Sequence, residues 1–67
     1  MRNLNEFGTL RAVDAESGGE LVAIVRGDAQ NVALSLSVEK NGDVEVVLAP
    51  ADAKKLIALL QRALAAQ

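Results

Sequence analysis

The sequence predicts an α+β domain: a four-stranded antiparallel β-meander followed by one C-terminal α-helix packed on one sheet face. Three observations predict it. Glycine-containing turn signals recur at Ser17-Gly18-Gly19, Gly27-Asp28-Ala29-Gln30 and Asn41-Gly42. The runs between them are short and rich in β-branched residues, as strands are. After Pro50 the apolar spacing changes to that of a helix. A chain of 67 residues makes one domain, 1–67.

Residues 1–7 are polar apart from Leu4, Phe7 and the initial Met1, and read as a loosely ordered arm whose Phe7 anchors on the core. The sheet is expected over 9–49. Thr9 to Ala15 alternates imperfectly and forms the first strand. Glu20 to Arg26 is almost continuously apolar, the pattern of a strand covered on both faces. Asn31 to Glu39 is the cleanest strand: Val32, Leu34, Leu36 and Val38 point one way, and Ala33, Ser35, Ser37 and Glu39 the other.

The Lys40-Asn41-Gly42-Asp43 turn decides which residues share a face. A two-residue Asn-Gly loop would set Glu45 and Val47 against the apolar side of the third strand. A three-residue loop, Lys40-Asn41-Gly42, with Gly42 left-handed in a bulge, pairs Glu39 with Asp43. It then aligns Val38 with Val44, Leu36 with Val46 and Leu34 with Leu48, so the large side chains share one face. The sequence favours the bulged loop.

The helix is expected over 50–66. Proline suits the first helical turn, where its missing N–H has no partner to lose. Asp52 near the start and Arg62 near the end complement the helix dipole. Ala49 is a poor cap, so a frayed start is expected. Ala53, Leu56, Ile57, Leu60, Ala63 and Leu64 form one stripe, with Leu59 at its edge. Leu36, Val46 and Leu60 are expected to be fully buried between sheet and helix.

Composition narrows function. There is no Cys and no His, which removes disulfides, thiol nucleophiles and the usual zinc ligands. Tyr and Trp are also missing, and Phe7 is the only aromatic, so stacking platforms for single-stranded bases are lacking. Residues 1–49 carry four basic and eight acidic side chains, and residues 50–67 carry three basic and one acidic. Neither part is the clustered basic face of a nucleic-acid binder. No N-terminal apolar run follows Met1 and Arg2, so no signal peptide is expected, and no apolar run approaches the roughly 20 residues that span a bilayer. A cytoplasmic protein is the expectation, with no membrane partner.

No catalytic residues emerge. Ser35 and Ser37 lack a neighbouring base and read as small polar residues on the less buried sheet face. Asp28, Asp43 and Glu45 are oxygen donors without the spacing of a calcium loop. Arg26-Gly27-Asp28 matches an adhesion tripeptide by chance, being a strand end and a turn. Gly18-Gly19 leads into no helix and makes no phosphate loop. Lys54 and Lys55 read as a solvated helix edge. The expectation is a protein that is not an enzyme and holds no cofactor or metal.

The order of four strands, then Val46-Val47-Leu48-Ala49-Pro50 and an amphipathic helix, resembles the Whirly and transcriptional-coactivator superfamily of single-strand DNA binders, to which the PUR repeats are similar. The likeness spans residues 9–66 as topology and pattern. It implies a ββββα fold, dimerisation and single-strand binding through basic and aromatic strand residues. The matching strands here carry Ser35, Ser37, Glu39, Asp43 and Glu45 instead, so no binding residues carry over.

The functional expectation is therefore a small non-enzymatic protein that acts as a homodimer on a protein partner, in the manner of a phage-type regulator or inhibitor. Weak single-stranded nucleic-acid binding is the alternative, and is disfavoured. One helix covers one side of the sheet, so the opposite side is expected to form the dimer. The candidate interface is the sheet face with Val22, Ile24, Ala33 and Val47, and edge-strand pairing or helix contacts through Leu59 and Ala63 are the alternatives.

Overall fold

A computed structural model describes residues 4–67. The elements are β1 (Asn5–Val13), β2 (Glu20–Gly27), β3 (Val32–Val38), β4 (Gly42–Leu48) and α1 (Pro50–Ala65). The strands form one antiparallel sheet in the order β1-β2-β3-β4. This is the α+β arrangement that the turn spacing predicts.

β1 starts earlier than the sequence suggests, at Asn5, and stops at Val13. Residues 1–3 of the expected arm lie outside the described residues. The reason is a bulge between Glu6 and Gly8, which places one extra residue, Phe7, in the strand. An extra residue shifts the period-two alternation and hides the strand from pattern reading. Phe7 lies against the bare backbone of Gly27: a Cβ there would sit 3.3 Å from the ring Cε2 and 3.1 Å from the Asn31 carbonyl. Phe7 is nonetheless 74% exposed, so it caps the sheet end and is not core.

The first two turns are held by carboxylates. The Asp14 side chain accepts from the Ser17 N–H at 2.8 Å, and the backbone closes with Asp14 N–H to Gly19 and Gly18 N–H to Asp14, both at 2.8 Å. Gly18 supplies the left-handed residue with φ 78°. The Asp28 carboxylate accepts from the N–H groups of both Gln30 and Asn31 at 2.8 Å, an Asx turn.

The β3–β4 hairpin corrects the expected register. Its loop is Glu39-Lys40-Asn41, and Val38 pairs with Gly42, Leu36 with Val44, Leu34 with Val46 and Val32 with Leu48. Gly42 is left-handed as expected, with φ 85°, but Lys40 is left-handed too, at φ 73°. The expected register set Glu39 against Asp43, and like charges directly opposite repel. The observed one sets Ser37 against Asp43 and Ser35 against Glu45, and both serines donate to those carboxylates, at 2.6 and 2.7 Å. A shift of two residues keeps every side chain on its expected face.

Cross-strand partners share a face, so the register sorts the sheet. One face carries Leu10 and Ala12 of β1, Leu21, Ala23 and Val25 of β2, the even-numbered residues of β3, and Val44, Val46 and Leu48 of β4. The other carries Arg11, Glu20, Val22, Ile24, Arg26, Ala33, Ser35, Ser37, Asp43, Glu45 and Val47. These are the apolar and the polar face below.

Helix α1 lies on the apolar side. Ala53, Leu56, Ile57 and Leu60 face Val25, Val32, Leu34 and Leu48 across an apolar cleft of about 270 Å³. The helix thus reaches one end of the face, and the rest stays open. Leu36, Val46 and Leu60 are 37%, 43% and 58% exposed, against the expected full burial. Nor is β2 covered on both faces, since Val25 is exposed. Among the described residues only Ala33 is a buried hydrophobic. The apolar pattern is present, but one chain does not close over it.

The helix start lacks a side-chain cap. Ala49 has the extended backbone of a cap residue (φ −66°, ψ 154°) with no side-chain oxygen to offer. Ala49→Ser is therefore expected to add about 1 kcal/mol in urea unfolding. In the hairpin, Gly42→Val meets no steric neighbour, so its cost of about 1–2 kcal/mol is the left-handed backbone alone. Lys40→Asn, which tolerates that backbone better, is expected to raise the melting temperature. The hydrogen bonds from Ser17 hold Asp14 below the usual carboxylate range. Its lowered folded-state pKa stabilises the fold above about pH 4 and ceases to do so as pH falls through the folded value. Asp14→Asn should make the acid limb of a stability–pH curve shallower.

Candidate functional site

The polar face is built around β3. Arg26 on β2 reaches Glu45 on β4, with Nη1 3.2 Å from Oε2. The pair spans the middle strand, and Ser35 donates to the same carboxylate oxygen at 2.7 Å. Arg26 stands directly opposite Ala33. The small Ala33 methyl lets the arginine lie across β3, which leaves Ala33 only 1% exposed. At the sheet edge Thr9 donates to Glu6 at 3.0 Å. A trough of about 290 Å³ runs over Val22, Ile24, Ser35, Ser37, Asp43 and Glu45.

The face carries hydroxyls and carboxylates paired by hydrogen bonds. Each strand serine donates its proton to a carboxylate, which holds the hydroxyl in place as a donor. Four strand carboxylates, Glu6, Glu20, Asp43 and Glu45, stand against Arg11 and Arg26. The face is acidic on balance. Among the described residues no group of three or more His, Cys, Asp or Glu is placed to hold a metal ion. No helix among them is long and apolar enough to cross a membrane.

The expected interface residues divide between two places. Val22, Ile24, Ala33 and Val47 do share the polar face. Ala33 is buried beneath the arginine, Val22 and Ile24 are half-buried, and Val47 alone is well exposed. Leu59 and Ala63 lie on α1, which stands over the opposite face. The six therefore form no single surface. The larger apolar surface is the other one. Leu36, Val44 and Val46 of the sheet, with Ile57, Leu60 and Leu64 of the helix, are all exposed there. Sequence reasoning placed these residues on the right face and counted them as covered. The signal for the uncovered state is size: one helix is too narrow for the sheet.

No protein-family model, curated protein or solved structure matches this chain.

The Arg26–Glu45 pair is about a third to a half exposed, so it is worth less than about 1 kcal/mol, and Glu45→Gln should barely move the unfolding midpoint. Ala33→Leu should cost more, about 1–3 kcal/mol, because it overfills the space beneath Arg26. Equal small effects at both positions in chemical denaturation would contradict this account of the polar face.

Proposed function

We propose that this chain is a small non-enzymatic binding protein that works as a homodimer and presents its polar sheet face to a protein partner, as a cytoplasmic regulator or inhibitor of a larger assembly. The observation that carries the reading is exposed area. The chain of 7.0 kDa exposes 5432 Å², about 1,400 Å² more than the roughly 4,000 Å² that a self-contained monomer of that mass displays. Its radius of gyration is 13.2 Å, where a compact domain of this length has about 11 Å. A standard protein interface takes about 800 Å² from each partner, and obligate homodimers take more. The excess matches the second class.

The partner-facing side follows from the first step. With the apolar surface committed to a second copy, the acidic, hydroxyl-bearing face points outward on both protomers. Its carboxylates repel phosphate, and it carries no aromatic ring on which a base could stack. That favours a protein partner over a nucleic acid.

Light scattering tests the dimer. At tens of micromolar the expected mass is twice 7.0 kDa; a stable monomer there overturns the reading. A fluorescence titration with a labelled single-stranded oligonucleotide should show no saturable binding at low salt. Tight binding that weakens steeply with added salt would replace the protein-partner reading with the nucleic-acid one.

A further inference from the structure

The self-association just described leaves open which surface joins the two copies, and three are available: the apolar face, the polar face and the outer edge of β4. Resting on that reading, we propose that the apolar face and the helix stripe form the joint, each copy's helix closing over the open end of the other's sheet.

The geometry argues for reciprocity. Strands of seven to nine residues rise about 3.3 Å per residue, so the face is at least about 23 Å long, and a helix with its side chains is about 10 Å across. One helix therefore covers about half of the face. The chain's own α1 sits over the end that holds Val25, Val32, Leu34 and Leu48. The end that holds Leu36 and Val44 has no helix above it and is exposed. Meanwhile Leu60 and Leu64 of α1 remain more than half exposed on the same side of the molecule. Each copy thus has one uncovered sheet end and one undercovered helix stripe. A twofold axis pairs these unlike elements twice, which is how an isologous interface satisfies both at once.

The competing surfaces fit less well. On the polar face Arg26, Glu45, Ser35, Ser37 and Asp43 are already engaged with one another, and a second copy would bring like charges together. An edge pairing through β4 would extend the sheet and leave the apolar face as open as before. The helix-side surface is where most of the large exposed hydrophobics gather. No charged residue occupies a strand position on that face between Gly8 and Leu48, whereas the polar face mixes both signs.

Val46 and Val47 make the decisive pair, being adjacent in sequence and on opposite faces of one strand. Light scattering with Val47→Arg should still give a dimer, and Val46→Arg should give a monomer or an unfolded chain. Because Val46→Arg can fail to fold, a second measurement uses a folded background. The chain has no cysteine, so Val44→Cys and Leu64→Cys each introduce a unique thiol. Mixed and oxidised, the two variants should yield a covalent heterodimer faster than Val47→Cys yields a homodimer. A dimeric Val46→Arg overturns the proposal, whether or not Val47→Arg is dimeric. So does a wild-type dimer in which Val47→Cys links readily and the mixed pair does not. A monomeric wild type removes the dimer itself, and this inference with it.

Discussion

The size of the sheet is the constraint on which the rest of this structure depends. Its strands make a face about twice as long as one helix is broad, and the described residues contain only one helix. Everything unusual in the fold follows. Leu36 of β3 and Val44 and Val46 of β4 stay exposed on the side where a core should lie. The helix keeps Leu60 and Leu64 more than half exposed. The face stays half-open, and burial of only about 60% of the unfolded surface is the most that a domain of this size reaches even when closed.

The opposite face shows how the same sheet remains orderly with no core behind it. Its register is selected by polar chemistry. Serine hydroxyls at positions 35 and 37 meet the carboxylates of Glu45 and Asp43, and Arg26 bridges β2 to β4 over Ala33. None of these contacts is strong, since all lie at the surface. Their value is specificity: a slip by one residue would exchange the faces, and a slip by two would put Glu39 against Asp43. The polar face thus fixes the alignment that gathers the apolar residues on the other side. Register and hydrophobic patterning support each other, each on its own face.

The sequence disclosed this arrangement unevenly, and the residues explain why. The strand–proline–helix step at Leu48-Ala49-Pro50 was legible because proline fits only one place in such a step, and α1 ends one residue from the expected boundary. The two faces of β3 were legible from parity alone. Asn41-Gly42 marked the hairpin but misplaced its loop by one residue, because a preference for glycine at a left-handed position did not reveal that Lys40 would be left-handed too. The start of β1 was hidden by the bulge at Phe7. The extent of burial was illegible for a different reason. Amphipathic spacing states which side chains prefer to leave water. It does not state whether their own chain or another removes them, and Leu60 reads identically in either case.

That ambiguity bears on how such a protein behaves. In a domain that closes over its own core, folding and association are separate events. Here much of the apolar surface stays exposed on the single chain, so in the proposed dimer burying it and meeting the second copy become one process. Stability then carries a concentration term, because anything that binds only the folded state adds to its stability by mass action. Placing the core between copies also frees the second face. In the proposed dimer the outer surface would be the serine and carboxylate pattern of β3 and β4. Twofold pairing presents that pattern twice, and two weak contacts held at a fixed spacing bind a partner with matching sites far better than either does alone. The proposed pairing would thereby give this face a selectivity that one copy could not supply.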